Sequence, residues 1–450
     1  ERVIRMDFIT EPAKRLPVCY EADVFVAGGS CTGVFAAVRA ARLGARVVLA
    51  ERQNCLGGTA TAALVNVWHS LKDTDYKNRI IAGLTAEIPE RLVKADAAIV
   101  QDDPSLAIQF NPNRLQYELD RLVAEEKIKL YLHTMCVGAV SDGESITAAI
   151  IENKDGRSAV KAGFFIDATG DGDLAKYLGI PKYRHEVVQP PTPCFLMKGC
   201  TDGINIERLI RTHGSEFGLP DDFGWYGPVP GIDDIYLRAD CHVLDVDCAS
   251  ADGLTRAETE GRRKAFAMVD LINKYTDRKV SVAALSALAG IRESDHYETD
   301  FKVRGEDLLL GSRYEDAVLN GTYRVDMHDF DGSCTFRYLN GYAVRMEGAE
   351  RRSVEWNWRE KAGLTGEPAK YYQAPFRMLV QNKYSNFIAA GRMLNADAMG
   401  FGALRVMVNL NQLGEAAGVA AYMSLNGSLP VNRIDGTKVR GLLAKGGSAL

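Results

Sequence analysis

The sequence predicts an α/β protein: a Rossmann-like domain with a parallel sheet and a β-meander, carrying an inserted α+β domain. Three observations support that prediction. The apolar run Asp23-Val24-Phe25-Val26-Ala27 enters a glycine turn and then an Ala-rich stretch. A second apolar run, residues 163–167, closes a series of short strands. Between 186 and 372 the pattern becomes irregular and richer in Pro, Trp, Tyr and His, before strand character returns near 387.

The elements follow in order. Residues 23–27 read as a buried parallel strand, because the run is short, apolar and ended by Gly28-Gly29-Ser30-Cys31-Thr32-Gly33. Val34 to Leu43 places Val34, Ala37, Val38 and Ala41 on one face and leaves Arg39 and Arg42 to solvent, as a helix lying on a sheet does. Gly44 stops it, and Val47-Val48-Leu49-Ala50 is the next buried strand, closed by Glu51. Residues 113–127 form a helix with Leu115, Leu119, Leu122 and Val123 on one side. Ser141-Asp142-Gly143 and Lys154-Asp155-Gly156 are hairpin turns in the meander, which ends at Phe164-Phe165-Ile166-Asp167-Ala168-Thr169-Gly170. Helices are expected near 256–274 and 281–290, a strand at 387–392, and a small-residue helix from about 403 to 424. The domains are then 20–185 with 373–430, an insertion at 186–372, and a C-terminal tail at 431–450.

Composition excludes several classes. The 450 residues are 46% hydrophobic and 25% charged, enough for large cores, and at ~150 residues per domain the length suits two or three units. With 54 basic against 59 acidic residues and no basic stripe, nucleic acid is not an expected partner. No apolar run reaches the ~18 residues of a membrane span. Nine cysteines show neither a CxxC pair nor zinc-ligand spacing. They read as reduced, mostly buried thiols, which favours the cytoplasm and no metal. The chain starts at Glu1, so a removed leader stays open.

Gly28-x-Ser30-x-x-Gly33, between strand and helix, is a pyrophosphate turn: free N–H groups at the helix N-terminus attract negative charge. Its middle position is usually glycine, and the Ser30 hydroxyl there could donate to a phosphate. Glu51 lies 18 residues after Gly33 at the end of the second strand, where a carboxylate accepts from ribose hydroxyls and repels a 2′-phosphate. Gly57-Gly58-Thr59 would let backbone approach a second part of the same ligand. An extended FAD uses such a pair, and a meander followed by a second strand-turn suits FAD as well.

Six stretches together resemble the bacterial FAD-dependent oxidoreductase family. They are Val26–Glu51, Leu56–Thr61, Ile166–Leu174, Ala289–Asp316, Ala374–Arg377 and Ala390–Ala421, in the family's order. The resemblance implies a fold of the two-dinucleotide-binding-domain type with FAD as cofactor. It implies pyrophosphate contacts at Ser30, Cys31 and Thr32, the ribose at Glu51, and adenine-side backbone near Val137. Ala168, Thr169, Gly170 and Arg392 would make further contacts. Gly28, Gly29, Gly33, Arg52, Gly57, Gly58, Thr59 and Gly391 complete the cofactor set. A helix beginning near Arg405 would aim its N-terminus at the pyrimidine edge of the flavin. Gly414 and Gly418 serve helix packing. Asp295 stands where a second basic residue is expected after Arg292-Glu293-Ser294, which sets a double-arginine anion clamp in question.

There is no second glycine-rich unit for a nicotinamide cofactor, and no CxxxxC pair follows the Gly-Gly-Thr. The partners expected are a small-molecule substrate and an unidentified electron acceptor or donor. Hydride transfer needs a base, and a cation if the substrate is anionic. His296, His328 and His242 are the titratable candidates. Arg405, Arg292 and Arg377 are the cationic ones. Cys55 and His69 match no covalent-attachment spacing. The function expected is an FAD-dependent oxidoreductase acting on a small polar metabolite. The alternatives are a non-redox flavoenzyme or an FAD-carrying subunit of an electron-transfer complex.

Overall fold

The computed structural model describes residues 8–101, 108–222, 224–240, 242–329, 331–348 and 352–450. Strand β1 (Val18–Ala27) pairs in parallel with β2 (Val47–Ala50) on one side and with Gly156–Asp167 on the other. Lys129–Tyr131 extends the sheet beyond β2, and Phe387–Ala389 runs parallel to the end of Gly156–Asp167. Val24, Phe25, Val26 and Ala27 are fully buried, as a parallel strand covered on both faces requires. The meander pairs Met135–Asp142, Ser145–Asn153 and the first half of Gly156–Asp167 antiparallel. One 12-residue strand therefore belongs to both halves of the sheet, and its C-terminal end delivers Ala168 beside the phosphate turn.

Helix α1 (Cys31–Arg42) packs along Met407–Gly427. Side chains at Gly414 and Gly418 would lie 2.1 Å from the Thr32 carbonyl oxygen and 2.4 Å from that of Ala36, so the two backbones meet only over glycine. Between them Arg39 pairs with Glu415, whose other oxygen accepts from the Leu84 amide at 3.0 Å. The single helix expected over 403–424 is two helices, Ala398–Leu404 and Met407–Gly427, with Val406 extended between them. The break is stabilised by side chains: Asn409 Nδ2 donates to the Ala403 carbonyl at 3.0 Å, and Arg405 reaches out to Asp326.

Within 186–372 two antiparallel sheets appear. The first orders Trp225–Pro228, Ile235–Ala239, Phe195–Lys198 and Ser281–Leu285 under the helix Ala251–Tyr275. Residues 281–285 were expected to be helical. They pair instead with Phe195–Lys198, whose Phe195 and Met197 are buried, and tertiary pairing overrides the alanine-rich propensity. The second sheet runs Val325–His328, Cys334–Arg337, Tyr342–Glu347 and Arg352–Asn357. Between the sheets in sequence, Val303, Leu308, Leu309, Val318 and Leu319 join the same core as Val24 and Leu413. The expected tail carries the helix Gly436–Lys445, and Val439 and Leu443, four apart on one face, are buried in that core too. No described helix is long and apolar enough to cross a membrane.

Candidate functional site

The turn after β1 is shaped for close approach of a ligand to backbone. Gly28 sits at φ +92°, and a side chain there would meet the Ala168 carbonyl at 2.6 Å. A side chain at Gly33 would fall 1.9 Å from the Gly28 oxygen, so the helix can start this close to the strand only with glycine. Ser30 caps α1: its hydroxyl accepts from the Gly33 amide at 3.4 Å and donates to the Ala168 carbonyl at 3.3 Å. The hydroxyl is thus engaged by two protein groups at the helix start. What it leaves open at the helix end is backbone N–H.

Glu51 is buried at the end of β2 and accepts from the Gly29 amide at 2.5 Å and the Gln53 amide at 2.7 Å. A carboxylate has about four acceptor sites, so capacity remains. Gly57 donates to the Gly29 carbonyl at 2.8 Å, which fixes the Gly57-Gly58 pair against the turn. On the neighbouring strand end, Asp167 organises Ala168-Thr169-Gly170. It accepts from the Thr169 amide and hydroxyl and from the amides of Leu174 and Ala175. Burial pushes its carboxyl up, and these hydrogen bonds oppose that shift. Arg392 and Arg52 both reach Asp171. Burial raises the Asp171 carboxyl, but the two guanidiniums overcome it and hold it below its ordinary value.

A cavity of about 470 Å³ begins at this turn and runs into the space under the inserted sheets. Its near wall includes Gly28, Ser30, Cys31, Thr32, Glu51 and Arg52. The Gly57-Gly58-Thr59 stretch, Ala168, Thr169, Gly170, Gly391 and Arg392 line it as well. The start of the 407–427 helix contributes Met407, Leu410 and Asn411. Both side-chain polar atoms of Asn411 are buried without a partner, and so are the Nε atoms of Arg392 and Arg405.

The far end is a cluster of titratable groups. Asp326 accepts from the Tyr323 hydroxyl at 2.6 Å, pairs with Arg405 at 2.9 Å, and lies 3.1 Å from His328 Nε2. His242 Nδ1 is 2.8 Å from Asp222, and its Nε2 meets Arg292 Nη2 at 2.8 Å. Because the guanidinium can only donate, His242 Nε2 is the acceptor and Nδ1 carries the proton. The two imidazoles lie 4.9 Å apart, centre to centre. Burial lowers His328 to about 4, Arg292 and His242 add to the shift, and Asp326 opposes it. Burial, with Arg405 nearby, brings Arg292 down to about 10. Arg324 completes the group, lying over the Phe336 ring at 4.2 Å.

Over residues 23–443 the sequence matches the family described as FAD dependent oxidoreductase. The chain belongs to that family. It is also 27% identical over 108 residues to the mitochondrial dihydrolipoyl dehydrogenase of Schizosaccharomyces pombe, a match spanning 22% of this chain and 21% of that one. Among solved structures, a geranylgeranyl bacteriochlorophyll reductase-like protein of Thermoplasma acidophilum aligns over 95% of this chain and 84% of its own, at TM-score 0.48 and 10% identity. The myxobacterial chondrochloren halogenase CndH aligns over 95% and 79%, at TM-score 0.46 and 13% identity.

The flavoprotein's cavity suits its cofactor: glycine backbone where phosphates need room, an acceptor carboxylate at the end of β2, and unpartnered polar atoms around the helix start. Most residues expected to bind FAD converge on it. Gly29 and Gly33 act behind the wall rather than in it. Val137 is not part of the lining; its neighbours Thr134, Met135 and Cys136 are, and the ladder has a register shift between Cys136 and Gly138.

Of the catalytic candidates, Arg405, Arg292 and His328 line the cavity, and His242 with them. His296 does not: it is fully buried, bonding the Leu394 carbonyl at 2.9 Å and Glu293 at 3.0 Å. Glu293 also bonds His185 at 2.6 Å, so these three side chains tie the segments near 185, 294 and 395 together at hydrogen-bond distances. Arg377 stands elsewhere, with a 44% exposed side chain paired to Asp316 and stacked on Phe301. Arg377→Ala is expected to leave turnover within twofold of wild type in steady-state kinetics, since an exposed pair contributes at most about 1 kcal/mol. Asp295 turns away to Lys182 and Arg184. Tyr323, Arg324, Asp326 and Asn411 were missed by sequence reasoning: the first three sit in no recognisable motif, and Asn411, within the 390–421 stretch, carries no signal that sets it apart from its neighbours.

Proposed function

We propose that this FAD-dependent oxidoreductase moves a hydride between its cofactor and a small polar metabolite held in the far end of the cavity. The observation behind this is continuity: one cavity joins the phosphate turn to the His328–Asp326 and His242–Arg292 groups. The α1 N-terminus would hold the pyrophosphate, Glu51 the ribose, and Asn411 with the 407–427 helix start the pyrimidine edge. Bound FAD supplies the hydride acceptor. The chain's own residues handle the proton. His328 Nε2 lies 3.1 Å from Asp326 Oδ1; a proton kept on Nε2 by that carboxylate would leave a lone pair on Nδ1 for a substrate O–H or N–H proton. Tyr323 and Arg405 hold Asp326 in place, and Asp222 and His242 do the same for Arg292. Residues of the inserted sheets, Trp225, Phe336 and Met346 among them, line this end, and their low-dielectric walls would strengthen charge interactions there.

The dihydrolipoyl dehydrogenase match does not extend to disulfide chemistry in this reading. All eight described cysteines are unpaired, and no cysteine pair follows Gly57-Gly58. The test is a visible spectrum of the purified protein, followed by anaerobic addition of a metabolite panel. A bound flavin that bleaches with one metabolite supports the proposal; a flavin that no hydride-donating metabolite bleaches overturns it. Glu51→Ala is expected to weaken FAD retention about 10- to 100-fold on dialysis, the loss of charged hydrogen bonds worth about 1.5–3 kcal/mol.

A further inference from the structure

The far end of the cavity holds more positive charge than its own acids can pair. Among the described residues three guanidiniums line it, those of Arg292, Arg324 and Arg405, against one lining carboxylate at that end, Asp326. Arg405 claims that carboxylate at 2.9 Å. Arg292 donates only to neutral acceptors, the Pro190 carbonyl at 2.6 Å and His242 Nε2 at 2.8 Å. Arg324 forms no ion pair among the described residues. Its ring neighbours are Phe336 at 4.2 Å and Tyr323 at 5.0 Å, Asp326 acts on it through space without a direct ion pair, and its Nε is buried without a partner. The two histidines here, neutral or cationic, supply no anion.

Burying a cation without a partner is costly, and it is tolerated where a ligand supplies the missing charge. Guanidinium forks match carboxylate geometry in particular. The walls beside them, Ile291, Phe336 and Met346, are apolar and suit a short carbon skeleton.

Resting on the flavoprotein reading above, we infer that the substrate is a small carboxylate-bearing metabolite, its carboxylate bound by Arg292 and Arg324. Arg324 thereby supplies the second arginine of an anion clamp that the sequence around Arg292 lacks. The clamp also couples binding to proton transfer. Arg292 repels the His328 imidazolium. A carboxylate seated on Arg292 cancels that repulsion and makes His328 a stronger base only when substrate is present.

The test uses the FAD-loaded enzyme, with oxalate as probe and chloride and inorganic phosphate as competing anions. Binding is followed by calorimetry and by perturbation of the bound flavin spectrum. Wild type is expected to bind oxalate saturably and more tightly than phosphate. Arg324→Met is expected to lose at least about tenfold in oxalate affinity while keeping its FAD, with Arg324→Lys partly restoring it. Arg292→Met provides a second, independent variant with the same expected loss. A wild-type protein that holds FAD but binds no oxalate overturns the anion site and leaves the flavoprotein reading standing. Preference for phosphate overturns the carboxylate assignment. If Arg324→Met and Arg324→Lys fold but release FAD, the arginine serves the cofactor and the proposal fails. A wild-type protein that takes up no FAD overturns both readings.

Discussion

Gly33→Ala is expected to yield a protein that purifies without flavin. The added methyl carbon would lie 1.9 Å from the Gly28 oxygen and 3.0 Å from its carbonyl carbon, both backbone atoms that no rotamer change can move. Relief requires α1 to lift from β1, and α1 is also pinned on its other side by the close crossing at Gly414 and Gly418. The strain therefore goes into the phosphate turn itself. Overpacking of this kind costs about 3 kcal/mol, and expressed in cofactor affinity that is on the order of a hundredfold. Flavin content per chain, read from the visible spectrum after dialysis, checks it. Full retention of FAD by a folded Gly33→Ala protein would contradict the placement of the pyrophosphate at this turn.

His328→Gln is expected to lower kcat by about 10²–10⁴-fold with FAD content unchanged, the usual contribution of a positioned base. Glutamine keeps a donor toward Asp326 but removes the proton-accepting nitrogen. The pH profile separates a base from a structural residue. His328 in the free enzyme titrates near about 4, so its base form dominates across neutral pH and is lost only as pH falls through that value. Hence kcat/KM, which reports the free enzyme, should show no histidine-like acid limb between pH 5.5 and 8. The kcat profile reports the complex, and its acid limb should lie higher, because bound carboxylate relieves the repulsion from Arg292. An equal loss of kcat with identical pH profiles in wild type and variant would remove His328 from the proton path.

Much of the cofactor half was legible in the sequence because its requirements are local. A strand, a glycine turn, a helix and a carboxylate after the second strand occupy consecutive residues, and each element constrains its neighbour. Gly28, Gly33, Glu51 and the Ala168-Thr169-Gly170 turn could therefore be placed without tertiary information. Errors arose where tertiary contacts override local pattern. The alanine-rich stretch at 281–285 became a strand because Phe195–Lys198 offered it hydrogen bonds. The helix predicted to run through Arg405 broke there, where Asn409 Nδ2 donates to the freed Ala403 carbonyl and Asp326 pairs with the Arg405 side chain.

The catalytic end was only half legible for the same reason. His296 and His328 are alike by residue type and sequence setting, yet one bonds a backbone carbonyl in the core while the other lines the cavity. Arg377 and Arg324 are equally ordinary arginines in sequence. The first pairs on the surface with Asp316, and the second makes no ion pair among the described residues and lies against the Phe336 ring.

The sequence by itself determined the fold class, the cofactor and the glycine turn after β1, since those depend on the order and spacing of residues close together in the chain. Only the tertiary structure decided which charged side chains line the cavity. That choice depends on how residues 242, 292, 324, 328 and 405 meet across distant strands, and on which of them a neighbouring carboxylate has already neutralised.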